Sequence, residues 1–230
     1  MLRVRQFPYG EDNLGYLVHG TSEAAAIDPG AAGAVLEYLR DKGLILKSIR
    51  NTHSHADHTG GNRELAAATG AEVIGPGSTG DLELEGEGIE VIPTPGHTAD
   101  SAVFHHPGWV ITGDTLFIAN AGNCPPSRLA VFRKSLDRLL ALPEETVVYP
   151  GHDYTGRSLR RAKEIEPENP DLEEFIRSYR PPPVASTIGD EKRINPYLRT
   201  ERPAVAEYLR RSGLPAATPG ERFRSMVCGE

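Results

Sequence analysis

The segment NTHSHADHTGGN, residues 51–62, places His53, His55, Asp57 and His58 within six positions. Imidazole nitrogens and carboxylate oxygens are the ligands that divalent transition metals accept. An extended chain puts residues i and i+2 on the same side, so His53 and His55 can face one cation. Asp57 and His58 are neighbours and share a direction only if the chain bends. The spacing therefore points to a second cation, held by Asp57 and His58 where the chain turns into a following helix. Three imidazoles and a carboxylate packed together without a cation to neutralise and orient them are costly.

Three further motifs offer ligands of the same kind: His97 in TPGHT, Asp114 in ITGDT and His152 in YPGHDYT. Each follows a short apolar run that ends at a glycine, whose backbone freedom allows a sharp turn into a loop. His19, His105 and His106 have no such context and read as ordinary strand residues. No Ser–His–Asp arrangement or CxxC nucleophile is present.

The elements that must carry these ligands can be read from periodicity. Short apolar runs bounded by Gly, Pro and Asp predict strands at 2–7, 15–19, 24–27, 47–50, 71–74, 89–93, 102–105, 109–112 and 146–149. Helical spacing appears in AAGAVLEYLRDKG, NRELAAATG and FRKSLDRLLALP, which stop at Gly43, Gly70 and Pro143. His53–His58 then lie at the C-terminal end of a strand, before a helix. Without regular strand–helix alternation or a GxGxxG motif, a dinucleotide fold is not expected; two sheets with outer helices fit better. After about Pro167 helical periods alternate with proline-rich turns. This predicts a unit bearing the candidate ligands over 1–166 and a small helical appendage over 167–230, with Pro181–Pro183 as a rigid turn.

The bulk properties bound the function. At 230 residues and 38% apolar content the chain can build its own core. Cys124 and Cys228 are far apart and form no framework, which fits reduced thiols in a cytoplasm. No run approaches the roughly 18 apolar residues of a membrane span, and the N-terminus turns polar too early for a secretory signal. A net charge of −7 argues against nucleic acid. Residues 1–150 carry 11 Lys and Arg against 19 Asp and Glu, while 151–230 carry 14 against 13, so the appendage differs in charge from the rest.

THSHADH, GHT, GDTLF and PGHDYT resemble the ligand motifs of the metallo-β-lactamase superfamily, and their order resembles that of its glyoxalase II (hydroxyacylglutathione hydrolase) branch. AKEIEPENPDL and STIGDEKRINPYLR extend the resemblance through the C-terminal region. It implies an α+β fold, an αββα sandwich followed by a small helical substrate-binding domain. It also implies two divalent metal ions, zinc with iron or manganese as alternatives. His53, His55 and His97 hold the first ion, Asp57, His58 and His152 the second, and Asp114 bridges them, with Asp57 and Asp114 as the catalytic carboxylates. Two such ions about 3.5–4 Å apart share a water, lower its pKa toward about 7 and polarise a carbonyl. A thioester suits this chemistry, because a thiolate of parent pKa about 8.5 leaves without a strong general acid. The implied substrate is a glutathione thioester such as S-lactoylglutathione, with no nucleic acid and no membrane as partner.

The glutathione contacts of that branch are only partly matched. Tyr154 matches a tyrosine that follows the last ligand histidine. A gap-free comparison from GDTLF sets Asn123 where a basic residue is expected and Pro125 near an aromatic position. Arg224 remains as a possible anion contact, Val227 stands where a lysine is expected, and Arg128 could compensate. Each lost charge-assisted contact costs roughly 1.5–3 kcal/mol. Two alternatives therefore stay open: another enzyme of the superfamily (a lactonase, a β-lactam hydrolase, another thioesterase or a mononuclear-iron persulfide dioxygenase), or a non-catalytic metal-binding protein. The complete ligand set argues against the last.

Overall fold

The computed structural model describes residues 1–78 and 80–229. Strands β1 (Arg3–Tyr9), β2 (Asn13–His19), β3 (Glu23–Ile27), β4 (Ile45–Arg50) and β5 (Glu72–Ile74) form one sheet in that order. A second sheet has the order β13-β12-β9-β8-β7-β6, from β6 (Leu82–Leu84), β7 (Glu87–Pro93), β8 (Ala102–His106), β9 (Trp109–Gly113), β12 (Val147–Pro150) and β13 (Ser186–Thr187). Between β9 and β12 lies a small hairpin, β10 (Leu116–Phe117) and β11 (Asn120–Ala121). The helices are α1 (Ala32–Lys42), α2 (Ala56–Thr59), α3 (Asn62–Thr69), α4 (Leu129–Leu140), α5 (Thr155–Ile165), α6 (Pro170–Ser178), α7 (Ile188–Ile194), α8 (Pro203–Arg211) and α9 (Pro219–Cys228).

Strand alternation produces the layers. Leu14, Tyr16 and Val18 of β2 and Ala25 and Ile27 of β3 face Phe104, Trp109 and Ile111 of the other sheet, filling the space between the sheets. The intervening Leu17, Ala24 and Ala26 pack outward against Val35, Leu39 and Leu65 of α1 and α3. Val103, Val110 and Val148 point the opposite way, against Phe132, Leu136 and Leu139 of α4 and against Val205, Leu209 and Phe223 of α8 and α9. The result is the expected αββα order, with β2, β3, β8 and β9 buried along nearly their whole length because each sheet is covered on both sides there.

Three features depart from the sequence reading. Strand–helix–strand crossovers do occur: β3, β4 and β5 are mutually parallel, joined through α1 and α3, and β9 pairs parallel with β12. Strands β6, β10, β11 and β13 were not anticipated, since two or three residues carry no visible period. The C-terminal region is also not wholly helical, because β13 extends the second sheet antiparallel to β12. Glu191 of α7, fully buried, clamps this region to the β10–β11 hairpin: its carboxyl group takes the Ala119 N–H (3.0 Å) and the Asn195 amide (2.7 Å) and shares a 2.7 Å hydrogen bond with the Ser186 hydroxyl. The composition shift near Pro167 falls in the turn between α5 and α6, and Pro181–Pro183 lie in the bend before β13, with both Pro–Pro bonds cis. No helix among the described residues is long and apolar enough to cross a membrane.

Candidate metal centre

All seven ligand candidates gather at one edge of the sandwich, each from a segment that leaves the C-terminal end of a strand. His53 and His55 follow β4, His97 follows β7, Asp114 follows β9 and His152 follows β12. Parallel pairing of β9 with β12 brings Asp114 and His152 to the same end. The single-turn helix α2, which the sequence reading did not anticipate, supplies the bend that Asp57 and His58 need. Ligand atoms of His53, His55, His97 and Asp114 form one group, and those of Asp57, His58 and His152 another, each within 4.8 Å. Asp114 stands between the groups: Oδ2 is 3.6 Å from His97 Nε2 and 3.5 Å from His152 Nε2, and Oδ1 is 3.4 Å from His58 Nε2.

The hydrogen bonds behind the rings show why a cation fits. His58 Nδ1 donates to Asp28 (3.0 Å) and His152 Nδ1 donates to Asp12 (2.9 Å), so each ring, in the neutral form a cation would bind, keeps a lone pair on Nε2. Those two Nε2 atoms face each other at 3.2 Å. His97 Nδ1 donates to the Asn123 carbonyl at 2.9 Å. The Thr52 hydroxyl donates to Asp28 at 2.6 Å, which leaves its oxygen to accept from His53 Nδ1 at 3.0 Å. His53 and His97 therefore also turn Nε2 lone pairs inward, 2.9 and 3.1 Å from His55 Nδ1. A proton on His55 can satisfy one of them; a cation satisfies all. Asp114 Oδ1 is buried and has no hydrogen-bond partner among the described residues, an orphan acceptor that a cation would satisfy.

The electrostatics follow from the same contacts. Burial, with the neighbouring His58 charge, lowers His53 to about 4. Burial also opposes charging of His58, yet its hydrogen bond to Asp28, with Asp114 and Asp57 nearby, pushes it up to about 9. Burial works to raise Asp114, but the His152 hydrogen bond and the surrounding imidazoles hold it at about 2. The pocket thus stores carboxylate charge that only a proton or a cation can balance.

The orienting groups Asp28, Asp12, Asn13, Thr52 and Tyr9 were not identified from sequence. Asn13 donates to Asp57 Oδ2 (3.0 Å) and the Tyr9 hydroxyl to the Asp57 carbonyl (2.9 Å). Asp28 carried a visible signal: AIDPG ends an apolar run at an acid before a turn, as the ligand motifs do, and its φ is +51°. Of the three glycines before the ligands, Gly113 has positive φ (+49°) and makes the sharp turn expected. Gly96 and Gly151 are required for space instead. A Cβ at Gly96 overlaps the Phe132 ring, and one at Gly151 overlaps Asp114 Oδ1.

The substrate candidates are less closely gathered. Tyr154 stacks on His152, centroids 4.8 Å apart, and carries the Arg157 guanidinium 3.5 Å over its ring centroid. Asn123 lines a cavity of about 590 Å³ beside His97, whose wall also includes Val227 and both cysteines, which are free thiols. Arg128 directs its Nη1 at the Gly96 and His97 carbonyls, at 3.3 and 3.1 Å. Arg224 is exposed on α9 and does not line that cavity. His19, His105 and His106 sit elsewhere, His19 against Tyr38 and the other two against Glu90 and Glu87.

Paired His/Asp groups at the strand ends of an αββα sandwich define a metal-binding protein of the metallo-β-lactamase class. Residues 10–82 and 73–152 match the metallo-beta-lactamase superfamily, and residues 153–226 match the hydroxyacylglutathione hydrolase C-terminus. The hydroxyacylglutathione hydrolase of Chromohalobacter salexigens is 36% identical over 236 residues, covering 93% of this chain and 92% of that protein. The crystal structure of ETHE1 from Myxococcus xanthus superposes with a TM-score of 0.70 at 26% identity, covering 97% of this chain and 89% of that one. TTHA1623 in a di-iron-bound form superposes with a TM-score of 0.62 at 26% identity, over 85% of this chain and 100% of that one. The chain belongs to the hydroxyacylglutathione hydrolase family of the metallo-beta-lactamase superfamily.

Proposed function

We propose that the protein is a dinuclear metal-dependent thioester hydrolase that converts S-lactoylglutathione, or a related hydroxyacylglutathione, to the free acid and glutathione. The observation that carries this reading is the second ligand group. Asp57, His58 and His152 add a complete site to the one formed by His53, His55 and His97, with Asp114 facing both. A one-ion site accounts for the first group alone and leaves the second, with the carboxylate between them, without a ligand role. Relatives named hydroxyacylglutathione hydrolase, matched over nine-tenths of the chain, support the thioester as substrate.

Two divalent cations, zinc in this proposal, would be held by His53, His55 and His97 and by Asp57, His58 and His152 with Asp114 between them, and would supply the Lewis acidity that makes water nucleophilic near neutral pH and polarises a thioester carbonyl. The chain's own part is orientation and charge. Asp28 and Asp12 fix the tautomers of His58 and His152, and Thr52 and the Asn123 carbonyl do the same for His53 and His97. Asp57, half-exposed at its side chain, is held by Asn13 and Tyr9 at the mouth of the pocket. Its pKa stays below the ordinary range, since the Asn13 hydrogen bond and the nearby imidazoles outweigh burial. It is therefore an anion throughout the neutral range.

The direct test is thiol release from S-lactoylglutathione by zinc-loaded protein, with metal analysis on the same sample. Two ions per chain and saturable hydrolysis are expected. One tightly held ion with no hydrolysis refutes the reading.

A further inference from the structure

The cavity beside His97 does not end at the metal pocket. It shares Asn123, Arg161 and Tyr197 with a second cavity of about 410 Å³, so the two form one cleft running from His97 along helix α5. Its wall at the metal end is weakly polar: Asn123, Cys124, Val227 and Cys228, with no lysine where the family resemblance expects one. Its α5 wall is different, and Arg161 of that wall lines both cavities. Arg157, Arg160 and Arg161 are exposed there, and none makes an ion pair among the described residues. Glu164 is the single acid lining the cleft among the described residues.

In a chain of net charge −7, three adjacent guanidinia opposed by one carboxylate are a local positive field. Two of them are held in place by aromatic rings. Arg157 lies over Tyr154, which stacks on His152, and Arg161 approaches the Tyr208 ring at 6.0 Å. Pre-placed guanidinia lose less freedom when they bind a carboxylate or phosphate, and their fork geometry suits both anions. The spacing is also informative. At 1.5 Å per residue, Arg161 stands about 10 Å beyond Tyr154 along α5. An extended tripeptide spans about 10 Å.

We propose that Arg157 and Arg161 of helix α5 form the anion-binding subsite for the thiol half of the substrate, a role the loop at Asn123 and the end of α9 lack the charge to fill. This rests on the thioesterase reading above and specifies its substrate class: the ester of an acidic thiol. The anion is a carboxylate for a peptide thiol and a phosphate for a nucleotide-linked thiol such as coenzyme A.

The test compares wild type, Arg161→Gln, Arg157→Gln/Arg161→Gln and the remote control Arg210→Gln. The substrates are S-lactoylglutathione, lactoyl-coenzyme A and the lactoyl ester of uncharged N-acetylcysteamine. The quantity read is kcat/KM for each acidic ester divided by that for the neutral one. Wild type should favour one acidic ester, which identifies the anion as carboxylate or phosphate. The ratio should fall about tenfold to hundredfold in the double variant, through KM, and less in Arg161→Gln. Arg210→Gln should leave it in place. A second readout is calorimetric binding of non-hydrolysable S-hexylglutathione or free coenzyme A, whichever matches the preferred ester. It should weaken by a similar factor in the double variant and with added salt in wild type. An unchanged ratio in the double variant, or no preference for an acidic ester in wild type, overturns the subsite. Absence of hydrolysis of all three esters by two-metal wild type sinks the thioesterase reading instead, and the calorimetric arm, with both ligands tried, then decides the subsite alone.

Discussion

The metal pocket and the cleft beside it share His97 and Asn123 but are built in opposite ways. In the pocket, nearly every inward-facing atom has a named partner behind it: Asp28 grips both Thr52 and His58, Asp12 grips His152, and Asn123 gives its carbonyl to His97. In the cleft, the polar side chains stand at the surface of one helix with open solvent before them. The difference teaches what each can tolerate. A pocket of mutually dependent donors and acceptors fails as a unit, whereas an exposed wall can exchange residues without disturbing the chemistry. Seven candidate ligands beside positions that depart from the expected glutathione contacts fit that division.

The largest expected effect comes from breaking the pocket where its two halves diverge. His58→Ala removes a ligand of the second group and leaves His53, His55 and His97 intact. Hydrolysis should disappear while one ion per chain is retained, read by thiol release and metal analysis together. Full thioesterase activity in this variant would mean that the first group works alone. Asp28→Ala tests the layer behind the ligands. Loss of one orienting partner of a metal-bound histidine typically costs 10–100-fold in metal affinity or activity. Asp28 serves two histidines, directly and through Thr52, so the upper end of that range is expected, measured by metal competition against a chelator.

The same contrast governs how much was legible. The candidate ligands were readable because they either crowd into one segment or follow a glycine at the end of an apolar run, and the long strands because alternation over five or more residues is a strong signal. Helix α2 was missed because four residues show no period, and β10, β11 and β13 because two do not. The cleft was largely invisible for a different reason. Its walls come from positions 97, 119, 120, 123–126, 157, 158, 160, 161, 164, 197 and 226–229, brought together only by the packing of α5 and the segments around α7 and α9 on the second sheet. Met226 and Val227 read in sequence as one more buried helix face, and most of that face is core, so nothing distinguishes the part that lines a cavity.

If the cleft depends on that packing, Glu191 should matter to stability more than to chemistry. Burial raises its carboxyl to about 8, against which the Ser186, Asn195 and Ala119 donors pull. A folded-state pKa above the unfolded one contributes stability that is complete below about 4.5 and is lost as pH rises through about 8. Wild type should therefore lose unfolding free energy across that window. Glu191→Gln, which can still accept from Ala119 and Asn195 and donate to Ser186, should flatten the slope. Glu191→Leu leaves buried donors unpaired, at about 1–3 kcal/mol each. Denaturant titrations at pH 5 and pH 8 read both; equal slopes in wild type and Glu191→Gln would contradict the assignment.

The smallest effect sits on the border between the two regions, at Arg128. Its sequence position suggested a substrate contact, yet its guanidinium donates to the Gly96 and His97 carbonyls and does not line the cleft. Two such bonds are worth about 0.5–1.5 kcal/mol each, and their loss lets the His97 backbone shift against its Asn123 partner. A positioning residue of the pocket and an anchor of the cleft separate in steady-state kinetics. Arg128→Gln should lower kcat several-fold with little change in KM. A rise in KM at constant kcat would move Arg128 into the cleft and extend the anion subsite from α5 to the segment before α4. The split between kcat and KM therefore locates the boundary between the rigid pocket and the variable wall, and Arg128 is the residue placed to report it.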